Sequence, residues 1–255
     1  MTSPAPQAAL VTGAGRRLGR AIALGLARAG WDVAVHYRAS ADEAREVADA
    51  IQALGRRACL LQADLSEEDE ARALVPRAVA ALGALHCVVN NASLFEYDDA
   101  ASFTGAVLQR HMQANVAGPL LLAQALHAAT PAGGQGVVIN LLDQKLYNLN
   151  PDFLSYTLSK AALHTATTVL AQALAPRLRV VGVAPGLTMV SGDQSAAGFA
   201  KAHTATPLGR SSTPEDIVDA VLYAARARAL TGTTLLVDGG QHLLPLERDV
   251  MFLAK

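Results

Sequence analysis

Short apolar runs recur along this chain, each followed by a longer stretch, and that alternation constrains the fold more than any other feature. The runs lie at 8–12, 32–38, 58–65, 85–93, 137–142, 179–186 and 233–240. No Asn-Gly pair lies between them to turn a hairpin. Strands of about six residues alternating with helices of about fifteen build right-handed βαβ units and a parallel sheet. The expected fold is therefore α/β, a three-layer, doubly wound parallel sheet of about seven strands. With 255 residues and 51% apolar content the chain fits one domain spanning 1–255, burying about 75% of its unfolded surface. Ligands of such sheets bind outside the carboxyl ends of the strands.

The first strand ends in Gly13-Ala-Gly15-Arg16-Arg17-Leu18-Gly19, and a helix over 20–30 follows. Glycines there let the backbone approach a pyrophosphate, and the helix start offers free N–H groups and a positive dipole end. The second strand carries no acid at its end to bond a ribose 2′-hydroxyl. It has His36, Tyr37, Arg38 and Ser40 instead, with Arg16 and Arg17 in the glycine turn. Arginine forks suit phosphate oxygens, so NADPH is expected over NADH. Asp64 ends the third strand, where it meets an adenine amino group or caps the next element.

Tyr156 and Lys160 stand at i and i+4 in a helix over 154–174, on one face. A lysine ammonium that close is expected to lower the phenol pKa and fit it for proton transfer near neutral pH. Asp143, at the mouth of the fifth strand, can face the phenol. This helix is apolar nearly all round, which implies cover on both sides, the sheet on one and a partner subunit on the other.

Several stretches carry weaker expectations. Residues 41–55 and 67–82 read as helices, and 102–130 as one long helix holding His111 and Asn115. An asparagine there lowers helix propensity and needs a reason. Residues 187–207 show little periodicity and read as a substrate lid. Thr213-Pro214 opens another helix. The tail, 241–255, ends in apolar Val250, Met251, Phe252 and Leu253, which should dock somewhere.

A net charge of −1 gives no electrostatic case for a nucleic-acid binder or a polybasic membrane anchor. Cys59 and Cys87 sit in apolar runs and read as buried thiols, with no metal site expected. The first residues show no export signal, and no aliphatic run is long enough to span a bilayer, so a cytoplasmic protein is expected.

Taken together, Thr12-Gly13…Gly19, Asp64, Asn90-Asn91-Ala92, Asn115, Tyr156-x-x-x-Lys160, Pro185-Gly186 and Asp238-Gly239-Gly240 resemble the short-chain dehydrogenase/reductase family from Leu10 to about Gly240. The resemblance implies a Rossmann-type sheet in order 3-2-1-4-5-6-7 and a tetramer or dimer, with a homotetramer expected. It implies Tyr156 as acid/base and Lys160 as holder of the nicotinamide ribose and tuner of the tyrosine. Asn115 would support a water chain to that lysine. NADP(H) contacts are implied at Gly13, Arg16, Arg17, Leu18, Gly19, His36, Tyr37, Arg38, Ser40, Asp64, Leu65, Asn91, Ala92, Ser93, Tyr156, Lys160, Pro185, Gly186 and Thr188. Many members have Gly where Arg17 and Ser93 stand, and a catalytic Ser where Asp143 stands. These departures, with the run His36-Tyr-Arg-Ala-Ser40, resemble the pteridine reductase branch, which includes dihydromonapterin-type reductases. There Phe95 matches a ring that stacks a pterin on nicotinamide, and Asp143 and Tyr156 face the substrate. The implied activity is NADPH-dependent reduction of a dihydropterin or related heterocycle. The rivals are a carbonyl reductase of the same superfamily, acting on a 3-oxoacyl or other ketone, and a non-catalytic dinucleotide-binding regulator.

Overall fold

In a computed structural model, residues 7–190 and 195–252 are described, apart from the side chain of Met251. Seven parallel strands form one sheet in the order 3-2-1-4-5-6-7. They are β1 (Ala8–Val11), β2 (Asp32–Tyr37), β3 (Ala58–Gln62), β4 (Cys87–Asn90), β5 (Gly136–Leu141), β6 (Leu178–Pro185) and β7 (Thr234–Val237). The helices that cover it are α1 (Arg17–Arg28), α2 (Ala41–Ala53), α3 (Glu68–Leu82), α4 (Gly105–Met112), α5 (Gly118–Ala129), α6 (Leu154–Leu174), α7 (Ala196–Thr204) and α8 (Pro214–Arg226).

Successive strand side chains point to opposite faces, and here both faces are buried, so the strands read as unbroken apolar runs. Val11, Val33, Val35, Val89, Ile139 and Val183 meet Ile22 and Leu26 of α1, Ile51 of α2 and Ile217 of α8 on one face. Leu10, Ala34, Val88, Val138 and Val180 meet Leu74 of α3, Leu122 of α5 and Ala171 of α6 on the other. The strand order reverses between β1 and β4, which opens a crevice at their carboxyl ends.

Two expectations about these elements change. The stretch 102–130 is not one helix: Thr104 caps α4, and a π-helical turn, Gln113–Ala117, separates α4 from α5. Such turns often mark functional sites, and this one carries Asn115. The stretch 187–207 is not wholly irregular, because α7 lies inside it with Ser195 accepting from the Gly198 amide. Its inward face is small, Gly198 and Ala202, so the helical period barely shows in hydrophobicity; residues 191–194 lie outside the described ones. The tail docks through a short 3-10 turn, Val250–Phe252, while Leu253 and the Met251 side chain lie outside the described residues. Cys59 is half-buried and Cys87 buried, both free thiols. Among the described residues no helix is long and apolar enough to cross a membrane, and no group of three or more His, Cys, Asp or Glu is placed to hold a metal ion.

Candidate active site

The glycine turn between β1 and α1 is packed without slack. A Cβ on Gly19 would lie 2.1 Å from the Gly13 carbonyl oxygen, so the first turn of α1 rests on the loop. The exits of β1 and β4 are tied together: Thr12 Oγ1 accepts from the amides of Asn91 and Ala92, each at 2.9 Å, and Asn91 Nδ2 donates to Thr12 O at 2.8 Å. Arg17 sits at φ +50°, in the left-handed region. A non-glycine residue there costs about 1–2 kcal/mol, which calls for a functional return.

A cavity of about 540 Å³ opens over this turn, lined by Gly13, Arg17, Arg38, Ser40, Asp64 and Ser93 among others. Arg16, Leu18, Gly19, Tyr37, Leu65 and Ala92 reach the same cavity. Arg38 is exposed, 3.8 Å from the Asp64 carboxylate. Arg16 pairs with Glu43. Asp64 accepts from Ser66 N at 2.9 Å and Ser66 Oγ at 2.7 Å, so it caps the following turn. His36 departs from the expectation of a phosphate contact. Its Nδ1 accepts from Gly13 N at 3.0 Å and its Nε2 lies 3.0 Å from Ala63 O. Both ring nitrogens are used by main chain, and burial holds its pKa below the ordinary value; His36 braces the glycine turn.

A second cavity of about 250 Å³ continues from the first and holds Asp143, Tyr156, Lys160, Phe95, Pro185 and Gly186. Thr188 closes its edge, donating to Gly186 O at 3.0 Å. Tyr156 Oη donates to Asp143 Oδ2 at 2.8 Å, and Asp143 Oδ1 accepts from Lys145 N at 2.8 Å. Lys160 Nζ donates to Leu141 O at 2.7 Å and lies 5.7 Å from the Tyr156 ring centroid. The expected lowering of the phenol pKa does not occur: burial first, and Asp143 beside it second, push Tyr156 well above its usual 10.0. Burial likewise raises Asp143 above its ordinary value and brings Lys160 down to about 8. The phenol is thus a held proton at neutral pH, and the carboxyl next to it can take one up.

Asn115 is buried and bridges elements. Its Oδ1 accepts from Leu94 N at 2.7 Å and its Nδ2 donates to Leu94 O and to Ser159 Oγ, each at 2.9 Å. It fastens the β4 exit loop to α6. Ser93 Oγ lies 3.3 Å from the same Oδ1. Phe95 is partly exposed; it stacks on Phe153 at 4.3 Å and meets Tyr156 edge-on at 4.7 Å.

Sequence reasoning missed three residues here. Phe153, at φ +56° just before α6, supports the Phe95 ring. Asp98 supplies the cap α6 lacks locally, accepting from Ser155 N at 2.9 Å and bonding Ser155 Oγ. Asp249 of the tail lines the catalytic cavity. Asp98 and Asp249 carry no spacing signal, because each reaches the site through space from a distant loop; Phe153 adjoins α6, but its partner Phe95 lies far off in sequence.

A family model described as enoyl-(acyl carrier protein) reductase matches residues 13–242. FolM alternative dihydrofolate reductase 1 from Brucella canis, complexed with NADP, superposes with a TM-score of 0.89 at 40% identity, covering 96% of this chain and 97% of that one. An uncharacterised oxidoreductase of Methylorubrum extorquens is 38% identical over 241 residues, 91% of this chain and 96% of its own. The 3-oxoacyl-(acyl-carrier-protein) reductase FabG of Staphylococcus aureus is 31% identical over 245 residues, 93% of this chain and 98% of its own.

Proposed function

This chain belongs to the short-chain dehydrogenase/reductase family, and from that premise we propose that it is an NADPH-dependent reductase of a pterin-type heterocycle, either a dihydropterin such as dihydromonapterin or dihydrofolate. The observation that carries this reading is the Tyr156–Asp143 bond, 2.8 Å long, at a position where many family members place a serine. Phe95, edge-on to that phenol, offers an aromatic platform for a flat ring. The Brucella structure at 40% identity supports both coenzyme and substrate class.

The glycine turn fits a dinucleotide, because Gly13, at φ +62°, and Gly19, with no room for a Cβ, bring bare backbone to the cavity. Arg17, Arg38 and Ser40 would hold the 2′-phosphate end, and Lys160 the nicotinamide ribose. NADPH, when bound, supplies a hydride to the carbon of a C=N bond. Tyr156 donates its phenolic proton to the nitrogen, so C=N becomes CH–NH. Asp143, its affinity for protons raised by burial, passes one back to the phenol oxygen. Asn115 keeps α6 in register with the substrate loop.

The ketoacyl reductase reading is favoured by one observation, the 31% identity to FabG over nearly its whole length. One assay separates the readings: NADPH and NADH oxidation against dihydropterin, quinonoid dihydropterin, dihydrofolate, a 3-oxoacyl thioester and simple ketones. The proposal requires kcat/KM to be highest for a pterin with NADPH, and preference for the thioester overturns it. The exposed apolar side chains Leu158 and Val169 of α6 support a partner subunit packed on that helix; we place the enzyme as a homotetramer in the cytoplasm.

A further inference from the structure

We propose that Asp249, on the docked C-terminal segment, is a specificity-determining residue of the substrate pocket, receiving a donor-rich ring edge in which an N–H adjoins an exocyclic amine. The inference deepens the pterin reading and rests on it.

The segment is pinned in place. Arg248 forks onto Asp152, with Nε at 3.0 and 2.8 Å from the two carboxylate oxygens and Nη2 at 2.7 Å from Oδ1. The Asp249 amide adds a bond to Asp152 Oδ2 at 2.7 Å. Phe252 stacks on Phe153 with centroids 6.1 Å apart, and the Arg248 guanidinium covers Phe252 at 4.8 Å. Val250 packs against the Leu187 and Ala202 cluster. The same Phe153 supports Phe95, so the tail and the aromatic platform form one wall.

That anchoring sets Asp249 and Val250 into the lining of the 250 Å³ cavity with Asp143, Tyr156 and Phe95. Lys145, buried, donates from Nζ to Asp249 Oδ2 at 3.1 Å and to Asp152 O at 2.6 Å. That contact fixes the direction of the Asp249 carboxylate. Carboxylate oxygens accept, and the pair matches two adjacent donors. A 2-amino-4-oxo pyrimidine edge presents such donors. A ketone or thioester carbonyl presents acceptors, so the same carboxylate disfavours it. Asp249 lies 97 residues past Asp152 in sequence, which hid it from motif reading.

Asp249→Asn tests the assignment. With a 2-amino dihydropterin, KM should rise by roughly tenfold or more while kcat stays within about twofold, the loss expected for one charge-assisted pair remote from the transferred atoms. With the 2-oxo analogue of the same ring, KM should not rise. Phe252→Ala, which loosens the wall without touching the carboxylate, should raise KM for both rings alike, and Asp249→Glu should recover part of the discrimination. A parallel rise for both rings in Asp249→Asn, or none for either, overturns the proposal. Calorimetric binding of isocytosine, the bare 2-amino-4-oxo pyrimidine, keeps the two readings apart. If wild type reduces no pterin yet binds this probe in an Asp249-dependent way, the substrate reading fails and this one stands. If binding is absent or indifferent to Asp249, this one fails.

Discussion

Lys160→Met should make the free protein more stable and the enzyme inactive. The ammonium is buried at 3% exposure, and burial brings its pKa from the ordinary 10.5 to about 8. That gap corresponds to about 3 kcal/mol of unfavourable free energy for holding the charge in the fold. The hydrogen bond to Leu141 O, 2.7 Å long, offsets part of it once the comparison is with methionine; losing it costs about 1.5 kcal/mol. Net stabilisation of about 1–2 kcal/mol at pH 7 follows, or roughly 2–6 °C in Tm for a chain of this size. The sign in pH is fixed by proton counts. Between about 8 and 10.5 the unfolded chain keeps the lysine proton that the folded chain has lost, so wild-type stability gains from this group as pH rises through that window. The advantage of the variant should therefore shrink from pH 8 upward and reverse at roughly pH 9, since about 1.4 kcal/mol is lost per pH unit. Urea unfolding of both proteins from pH 7 to 10.5, followed by circular dichroism, reads the difference directly. A variant less stable than wild type at pH 7, or a difference flat across that range, refutes the reasoning.

Asp98→Ala removes the side chain that caps α6, bonded to Ser155 one residue before Tyr156. A loss of about 1–2 kcal/mol is expected in urea unfolding, together with a lower kcat; an unchanged midpoint would contradict it. Arg38→Ala should raise KM for NADPH by roughly tenfold or more while leaving NADH kinetics alone; equal effects on the two coenzymes would show that Arg38 does not meet the 2′-phosphate.

The sheet was legible because both of its faces are buried, which leaves each strand as an apolar run ending in polar or glycine-rich residues at the same edge. The β1–α1 turn and Tyr156/Lys160 could be read from spacing alone, since their members lie within one turn or one helix. His36 could not: at a strand end it reads as a phosphate contact, and only the third dimension shows Gly13 N and Ala63 O occupying its nitrogens. The phenol's proton affinity was misjudged for a related reason. Spacing gives the neighbour Lys160, but burial and Asp143 dominate, and burial has no local signature. Asp98, Phe153 and Asp249 reach the site from three separate loops. The π-helical turn at Asn115 looks like ordinary helix in hydrophobic pattern because its cause is a set of polar bonds to Leu94 and Ser159.

The most direct test of the central claim is kcat for dihydropterin reduction by Tyr156→Phe with saturating NADPH. Removing the group that holds the transferable proton should lower kcat by about 10²–10⁴ with KM little changed. A variant that retains kcat to within about threefold would show that the proton reaches the ring from elsewhere.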